Sequence, residues 1–227
     1  MIRNYNDFVE TLLNAGFSLG GGGDDGIYSV VTWGWQEEPP YDTPVRWHTD
    51  DPDTDPWEWR MRVLDERDDI AYAKLLFKKS GFITKKWYPY FLATRRSGRS
   101  FIEAYESGNI SHFAKRIYEV VASAEVLPSQ EIKRLAGFTK EEKSNFDRAL
   151  VELQMMMFIT VSGRQLKPTN SAWSSVMFST TERFFGEAVF IEAESINANT
   201  AEEKITEQIL KLNPSAQEKK IRKFIYG

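Results

Sequence analysis

The chain has no cysteine, only two histidines and no long run of apolar residues. The absence of cysteine excludes disulfides, thiol nucleophiles and thiolate metal sites, and it favours a reducing compartment. Two histidines, His48 and His112, are too few for a convincing zinc site, and we predict no metal and no cofactor. No apolar stretch approaches the length that spans a bilayer, and residues 1–16 do not have the pattern of a secretory signal. We therefore expect a cytoplasmic protein that makes no membrane contact.

Charge is unevenly distributed along the 227 residues, although the net charge is only −4. Residues 1–69 hold 5 basic and 16 acidic side chains, whereas residues 70–116 hold 10 basic and 2 acidic ones. A local net charge of +8 favours a polyanionic partner, because neutralised phosphates release their condensed counterions. The alternative is that these cations pair internally with the acidic first part of the chain.

A series of three helices is predicted in the middle of the chain. Apolar residues at three- and four-residue steps indicate a first helix that begins near Ser111. A second, short helix is predicted from Ser129 to Gly137. Thr139 followed by Glu142 has the spacing of a capping box and predicts the start of a third helix.

A β-hairpin is predicted directly after the third helix. The β-forming residues that begin near Phe158 indicate a strand, and Ser162–Arg164 is predicted to turn it. A polar run to Asn170 would form a wing before a second strand over Trp173–Ser179. Three helices and a hairpin in this order are typical of a winged helix-turn-helix, although three amphipathic helices in a plain bundle remain an alternative.

Further elements are predicted on both sides of this segment. We expect an opening helix over Asn4–Ala15, a strand over Ile27–Trp35 and a helix that begins near Trp57. A hairpin is predicted over Ile70–Thr84, with Lys78 to Gly81 in its turn. Amphipathic helices are predicted after residue 180.

The predicted fold class is α+β, with a winged helix-turn-helix core. We divide the chain into an N-terminal mixed α+β layer (1–109), a winged-helix subdomain (110–179) and C-terminal helices that pack on the core (180–227).

Two other stretches resemble ligand sites. The run Gly20–Gly26 invites comparison with a phosphate-binding loop, but no Gly-Lys-Ser/Thr follows it, so we interpret it as a flexible loop. The aspartates in residues 50–55 are the ligand type that calcium prefers, but they lack the glycine and distal glutamate of a calcium helix-loop-helix. We interpret them as turn and cap residues.

Several short motifs carry a resemblance to a known family. They are Asp55-Pro56-Trp57-Glu58-Trp59-Arg60, Tyr72-Ala73-Lys74, Lys78-Lys79-Ser80-Gly81-Phe82-Ile83, Trp173-Ser174-Ser175 and Thr180-Thr181-Glu182. Over most of its length the chain resembles the AlkZ-related winged-helix proteins of bacteria. The better-known AlkZ relatives are DNA glycosylases that excise bulky alkylated bases and unhook interstrand crosslinks, so the resemblance implies a nucleic-acid-binding fold.

The resemblance does not extend to the catalytic motif of those glycosylases, in which two glutamines flank one apolar residue. The six glutamines of this chain include no pair separated by one residue. Glu58, between two tryptophans, and Lys74, near Tyr72, are the remaining candidates for base-excision chemistry. Both are also ordinary as surface residues, so the catalytic residues stay unassigned.

The leading prediction is a protein that binds double-stranded DNA, either regulatory or accessory to DNA repair, with no evident catalysis. The predicted contact residues are Lys78, Lys79, Lys140, Lys143, Asn145, Arg148, Arg164 and Lys167. A glycosylase with a non-standard catalytic residue and a protein-interaction module are the alternatives.

Overall fold

The computed structural model describes residues 1–165 and 175–227. The helices in these ranges are α1 (Tyr5–Ala15), α2 (Pro56–Glu66), α3 (Tyr88–Arg96), α4 (Phe101–Glu106), α5 (His112–Ala122), α6 (Ser129–Leu135), α7 (Lys143–Met155), α8 (Thr181–Phe185), α9 (Ala188–Ser195), α10 (Ala198–Leu212) and α11 (Glu218–Tyr226). The strands are β1 (Phe17–Leu19), β2 (Ile70–Leu76), β3 (Lys79–Thr84), β4 (Leu127–Pro128), β5 (Ile159–Gln165) and β6 (Ser175–Thr180). Helices surround a sheet of antiparallel strands, which confirms the predicted α+β class.

The opening helix α1 has the predicted ends. The side chain of Asn4 accepts a hydrogen bond from the Asp7 N–H at 3.0 Å, which satisfies one of the free donors of the first turn. Gly16 ends the helix at a φ of 92°, a left-handed conformation that favours glycine. On the inner face, Phe8 packs against Trp59 of α2, with ring centroids 5.0 Å apart.

The hairpin of β2 and β3 is confirmed, but its turn differs from the prediction. The turn residues are Phe77 and Lys78, with φ values of 52° and 62°, a pair typical of a two-residue hairpin turn. Gly81 lies inside β3, where a β-carbon would be 2.7 Å from Leu76 Cδ1 and 2.9 Å from the Ser18 carbonyl oxygen. Glycine is therefore needed there for close strand packing, which the sequence pattern does not distinguish from a turn.

The six strands within residues 1–165 and 175–227 belong to one sheet, in the order β1-β3-β2-β5-β6-β4. Strands β1, β3 and β2 come from the first half of the chain, and β5, β6 and β4 from the second. The two groups join where Tyr72 of β2 pairs with Val161 of β5. The predicted three-part division of the chain remains a prediction, but its first two parts share this sheet.

The strand predicted over Ile27–Trp35 is wrong. Residues 27–35 form no strand, and their β-pairing consists of a single bridge between Ser29 and Leu19. Serine hydroxyls satisfy the backbone instead: Ser18 Oγ accepts from the Val30 N–H at 2.9 Å, and Ser29 Oγ donates to the Val31 carbonyl at 2.8 Å. Hydrogen bonds between side chains and backbone, such as that of Ser29, compete with strand pairing.

The middle of the chain contains the predicted three helices and two strands, with three corrections. Helix α7 begins at Lys143, because residues 140–142 form a turn and only the Thr139 N–H donates to Glu142, at 3.0 Å. The turn predicted at Ser162–Arg164 is wrong, since β5 continues to Gln165 with a shift in register before Gly163. Leu127–Pro128, predicted only as a helix break, also pairs with β6 as the short strand β4.

The described helices include none that is both long enough and apolar enough to cross a membrane.

Tyr88, at the start of α3, provides a test of the buried core. Its side chain is fully buried, and its hydroxyl has no hydrogen-bond partner among the described residues. Burial raises the pKa of this hydroxyl above its ordinary value of 10.0. Replacing Tyr88 with phenylalanine is expected to increase the free energy of unfolding by about 1 kcal/mol at pH 7, because a buried unsatisfied group is removed.

The same substitution has an expected pH dependence. The folded protein keeps the Tyr88 proton above pH 10 while the unfolded chain releases it, so stability from this group is lost as pH rises. Above pH 10 the gap between Tyr88→Phe and the unsubstituted protein should widen by about 1.4 kcal/mol per pH unit. Urea unfolding from pH 7 to 11.5 measures it, with Tyr90→Phe on the same helix as the control. A constant gap would contradict the assignment.

Candidate nucleic-acid interface and the glycine-loop pocket

The carboxylate of Asp55 organises the loop that precedes α2. Asp55 is fully buried, and its two oxygens accept hydrogen bonds from the backbone N–H groups of His48, Thr49, Asp50 and Trp57 at 2.8 to 3.1 Å. Its negative charge also lies at the positive end of the helix dipole of α2. Asp55 therefore holds the loop against α2, and the predicted role of this aspartate as a cap is confirmed.

Aromatic rings are grouped around this loop. The His48 ring lies 4.9 Å from that of Trp57 and 6.3 Å from that of Trp35, measured between centroids. Trp35 is 69% exposed and Trp57 is 42% exposed. The Arg60 guanidinium carbon lies 3.2 Å above the Trp57 ring, and Arg60 Nε donates to the Trp57 carbonyl at 2.7 Å. The hydrogen bond thus holds the guanidinium over the ring, in the position that cation–π attraction favours.

A pocket of about 350 Å³, which we call the glycine-loop pocket, lies between the glycine run (Gly20–Gly26) and α2. It is lined by Leu19, Gly20, Gly21, Gly22, Gly23, Asp25, Trp47, Pro56, Trp57, Arg60, Tyr72, Lys79 and Ser80. Gly21 has a φ of 108°, and a β-carbon there would be 2.5 Å from the Trp47 ring. Trp47 is itself fixed, since its Nε1 donates to the Trp33 carbonyl at 2.9 Å. The glycine run, interpreted from the sequence as a flexible loop, is therefore one wall of a pocket.

Charged groups of both signs line this pocket. Lys79 Nζ lies 2.8 and 2.9 Å from the two carboxylate oxygens of Asp25. Arg60, in contrast, has no carboxylate within salt-bridge distance among the described residues. The pocket therefore contains one neutralised cation and one uncompensated cation.

Helix α11 brings further lysines to the same side of the molecule. A β-carbon at Gly26 would lie 2.7 Å from Lys220 Nζ, so this ammonium is next to the glycine run. Lys223 Nζ lies 5.9 Å from the centroid of Phe77, the first residue of the hairpin turn. We call Lys78, Lys79, Lys220 and Lys223, all exposed, the basic rim.

The second group of predicted contacts lies on and before α7. Lys140 is in the turn that precedes α7, so its predicted position on the helix is wrong. Lys143 and Arg148 are on the exposed face, but Lys143 Nζ lies 2.5 Å from Asp147 and Arg148 donates to Asn145 Oδ1 at 2.6 Å. Each of these side chains would exchange an internal partner when it contacts a ligand.

The remaining predicted contacts are on other elements. Lys78 is in the hairpin turn, where it is exposed. Arg164, near the end of β5, pairs with Glu58 of α2 at 3.1 Å. Lys167 lies outside the described residues. Lys79 of the basic stretch thus pairs with an acidic residue from the first part of the chain, as the alternative interpretation of the charge asymmetry predicted. Arg164, which lies outside that stretch, also pairs with an acidic residue of the first part.

Two buried arginines also reduce the charge available to a ligand. Arg95 and Arg96, which contribute to the basic stretch, are 4% and 7% exposed. Arg95 donates to main-chain carbonyls, and Arg96 pairs with Glu182 at 2.7 Å. The local charge of +8 therefore overstates the positive surface.

The candidate catalytic residues named from the sequence are not in the glycine-loop pocket. Glu58 lines a separate groove of about 360 Å³ together with Arg62 and Arg164. Lys74 is exposed on β2, and its backbone N–H donates to Gln154 Oε1 at 2.9 Å. The acid and the amine that line the pocket are Asp25 and Lys79.

Sequence reasoning did not identify Trp47, Arg60 or Lys220 as site residues. The signal for the pocket was the glycine run together with the tryptophans of residues 33–59, which the chain brings together only on folding. Lys220 is about 190 positions from Gly26, a separation that no local pattern spans.

Comparisons with known proteins give one family and one solved structure. The solved structure is a DNA glycosylase, AlkZ, of Streptomyces sahachiroi, which is 13% identical with a TM-score of 0.44. The similarity covers 75% of this chain and 50% of that glycosylase, so this chain spans about half its length. No curated protein matches the sequence. The sequence model of the AlkZ-related family matches residues 2–226, and the chain therefore belongs to the AlkZ-related family.

Proposed function

We propose that the chain is a winged-helix protein that binds double-stranded DNA and takes part in DNA repair, in an accessory or regulatory role. The observation that carries this proposal is the order of elements α5, β4, α6, α7, β5 and β6, in which β6 pairs with both β4 and β5. This arrangement is the one that winged helices use, with the third helix as the element that enters the major groove. Membership in the AlkZ-related family supports the same role.

The side chains of α7 support a contact through the first half of that helix. Lys143, Ser144, Asp147 and Arg148 are exposed, whereas residues 153–155 are buried. Recognition helices contact bases mainly through their N-terminal residues. Lys143 and Arg148 would contact phosphates and Asn145 a base edge, and Lys140, Arg164 and Lys167 are proposed as further phosphate contacts.

Because the exposed half of α7 carries carboxylates as well as cations, we expect only a few phosphate contacts. Two or three such contacts give a slope of roughly −2 to −3 for log K against log salt. Fluorescence anisotropy with a labelled 20-base-pair duplex, at salt concentrations from 50 to 200 mM, measures the slope.

The variant Lys143→Ala/Arg148→Ala is expected to weaken duplex binding about tenfold and to flatten the salt slope by about 2. The matched control is Lys204→Ala/Lys211→Ala, which removes two cations from α10 and should leave the affinity unchanged. Equal weakening by both variants, or binding that does not depend on salt, would contradict a specific role for α7.

A second candidate function, excision of an alkylated base, is favoured by one observation. The glycine-loop pocket places a carboxylate and an amine, Asp25 and Lys79, beside aromatic walls. An enzyme that cleaves the bond between base and sugar needs such groups next to a pocket for an extruded base. Mass spectrometry of an alkylated duplex incubated with the protein tests this candidate, and the absence of any freed base would eliminate it.

A further inference from the structure

We propose that the glycine-loop pocket is a binding site for a nucleotide, either free or as an unpaired unit of a nucleic-acid strand. The base would lie against the wall formed by Trp57 and Arg60, and the phosphate would face the basic rim. This proposal goes beyond duplex binding by α7, because it concerns a different surface and different residues.

The size and walls of the pocket suit a planar heterocycle. A volume of about 350 Å³ lies within the range of small-ligand pockets, and the walls are mainly tryptophan, tyrosine and backbone. Aromatic side chains and flat guanidinium groups are the surfaces on which bases stack without regard to sequence. The Arg60 guanidinium carbon lies 3.2 Å above the Trp57 ring and both side chains line the pocket, so the guanidinium adds to the aromatic wall.

Donors without described acceptors line the same pocket. Arg60 uses only Nε in a hydrogen bond among the described residues, to the Trp57 carbonyl, so its terminal nitrogens remain as donors. The backbone N–H groups of Gly21, Gly22 and Gly23 likewise have no acceptor within the described part of the chain. Glycine lets an anion or a carbonyl approach these N–H groups closely, because no side chain intervenes. The pocket therefore offers donors for a ligand that carries acceptor atoms and negative charge.

The basic rim supplies charge at the edge of the pocket. Lys79 lines the pocket, and Lys220 lies beside Gly26, next to the pocket residue Asp25. Lys78 and Lys223 continue the rim along the hairpin turn and α11. Lys79 and Lys220 thus bring two ammonium groups from distant parts of the sequence to this side of the pocket, one of them paired with Asp25, and such groups are expected where a phosphate or a strand backbone enters.

Asp25 opposes phosphate binding in this site, and that opposition makes the proposal testable. Its carboxylate accepts two contacts from Lys79 Nζ, at 2.8 and 2.9 Å, and would repel a phosphate. Replacing Asp25 with asparagine releases Lys79 and removes the repulsion. The substitution should therefore strengthen nucleotide binding, whereas loss of a merely structural contact would weaken it or leave it unchanged.

The experiment measures quenching of tryptophan fluorescence on titration with AMP, ADP and a single-stranded eight-nucleotide thymidine oligomer. Trp57→Ala should weaken binding about tenfold, and Asp25→Asn should strengthen it about threefold. Asp25→Asn alters an exposed ion pair, so it keeps the test decisive if Trp57→Ala fails to fold. The control is Lys143→Ala/Arg148→Ala, which should leave this binding unchanged even if it abolishes binding to duplex.

The outcomes separate the two sources of the ligand. Oligomer binding at least tenfold tighter than AMP, and weakened by Lys220→Ala/Lys223→Ala, supports a unit of a strand. Equal binding of ADP and oligomer supports a free nucleotide. The proposal is overturned if no probe quenches fluorescence at 5 mM, or if Asp25→Asn and Trp57→Ala both leave the affinities unchanged.

Discussion

Replacing Arg95 with alanine is expected to lower the free energy of unfolding by at least about 3 kcal/mol. The guanidinium of Arg95 donates to the carbonyl oxygens of Leu75 and Met155 through one terminal nitrogen, at 2.7 and 2.9 Å. Nε and the other terminal nitrogen donate to Ile225 and Phe224, at 2.7 and 2.9 Å. One side chain therefore connects β2, the end of α7 and the end of α11, and its loss leaves four carbonyls without this partner.

The cost of burying the charge is part of this balance. Burial lowers the pKa of Arg95 to about 10, against a small opposing effect of Tyr88. At neutral pH the group stays charged, and the charge strengthens its hydrogen bonds to the helix-terminal carbonyls of α7 and α11. The hydrogen bonds of Arg95 thus offset the desolvation cost of its buried charge. Replacement with alanine removes that cost, but it also leaves the carbonyl oxygens without this donor, and the protein is expected to be less stable.

Urea unfolding monitored by circular dichroism measures the effect, and two further variants sharpen it. Arg99 lies three residues after the end of α3, and its partly exposed guanidinium donates to the Arg96 carbonyl. Arg99→Ala should therefore lower the free energy of unfolding by less than about 1 kcal/mol. Arg95→Lys keeps the charge but cannot reach in three directions, so we expect it to recover less than half of the loss. Full rescue by lysine would show that the charge, and not the geometry of the donors, carries the stability.

Replacing Asp55 with alanine is the second large effect, with an expected loss of about 2 to 4 kcal/mol. Four backbone N–H groups lose their acceptors, among them those of His48 and Asp50, which have φ values of 59° and 60°. Left-handed backbone at residues other than glycine is strained, so the loop is expected to relax once the carboxylate is gone. His48 and Trp57 should then move apart.

Two measurements distinguish this local effect from general unfolding. Near-ultraviolet circular dichroism reports the tryptophan environment and should change more than the far-ultraviolet signal. Asp55→Asn should recover less than half of the loss expected for Asp55→Ala. Its amide replaces one acceptor oxygen with an NH2 group, which cannot accept from the backbone N–H groups. Asp42→Asn, at an exposed aspartate in the same loop, is the control and should change stability by less than about 0.5 kcal/mol. If the Asp42 and Asp55 variants behave alike, the buried carboxylate does not organise this loop.

Local signals in the sequence predicted the elements whose ends depend on neighbouring residues. Asn4 and Gly16 delimit α1, and Asp55 with Pro56 starts α2, since caps and turns depend on side-chain bonds to nearby backbone. The strand predicted over Ile27–Trp35 was wrong because serine hydroxyls, which the alternation pattern ignores, satisfy that backbone. The family was also identified from short motifs, and its match over residues 2–226 confirms that resemblance.

The site was harder to predict, because its partners are distant in sequence. The pairing of Lys79 with Asp25 spans 54 positions, and that of Arg164 with Glu58 spans 106. Composition indicated positive and negative regions, but only the fold determines which cations meet carboxylates and which stay exposed. Arg60 and Lys220 became candidates for this reason, and the buried Arg95 adds nothing to the positive surface.

The two halves of the sheet meet at a seam between β2 and β5, where a single residue pair, Tyr72 and Val161, is in register. Lys78 and Lys79 of the basic rim lie on the hairpin of one half, and α7 leads directly into β5 of the other, so a ligand that binds both would load this junction. The rate at which backbone amides at the seam exchange with solvent would then depend on the ligands bound at the basic rim and at α7. Hydrogen–deuterium exchange at Tyr72 and Val161 would thus report whether binding at one surface affects the other.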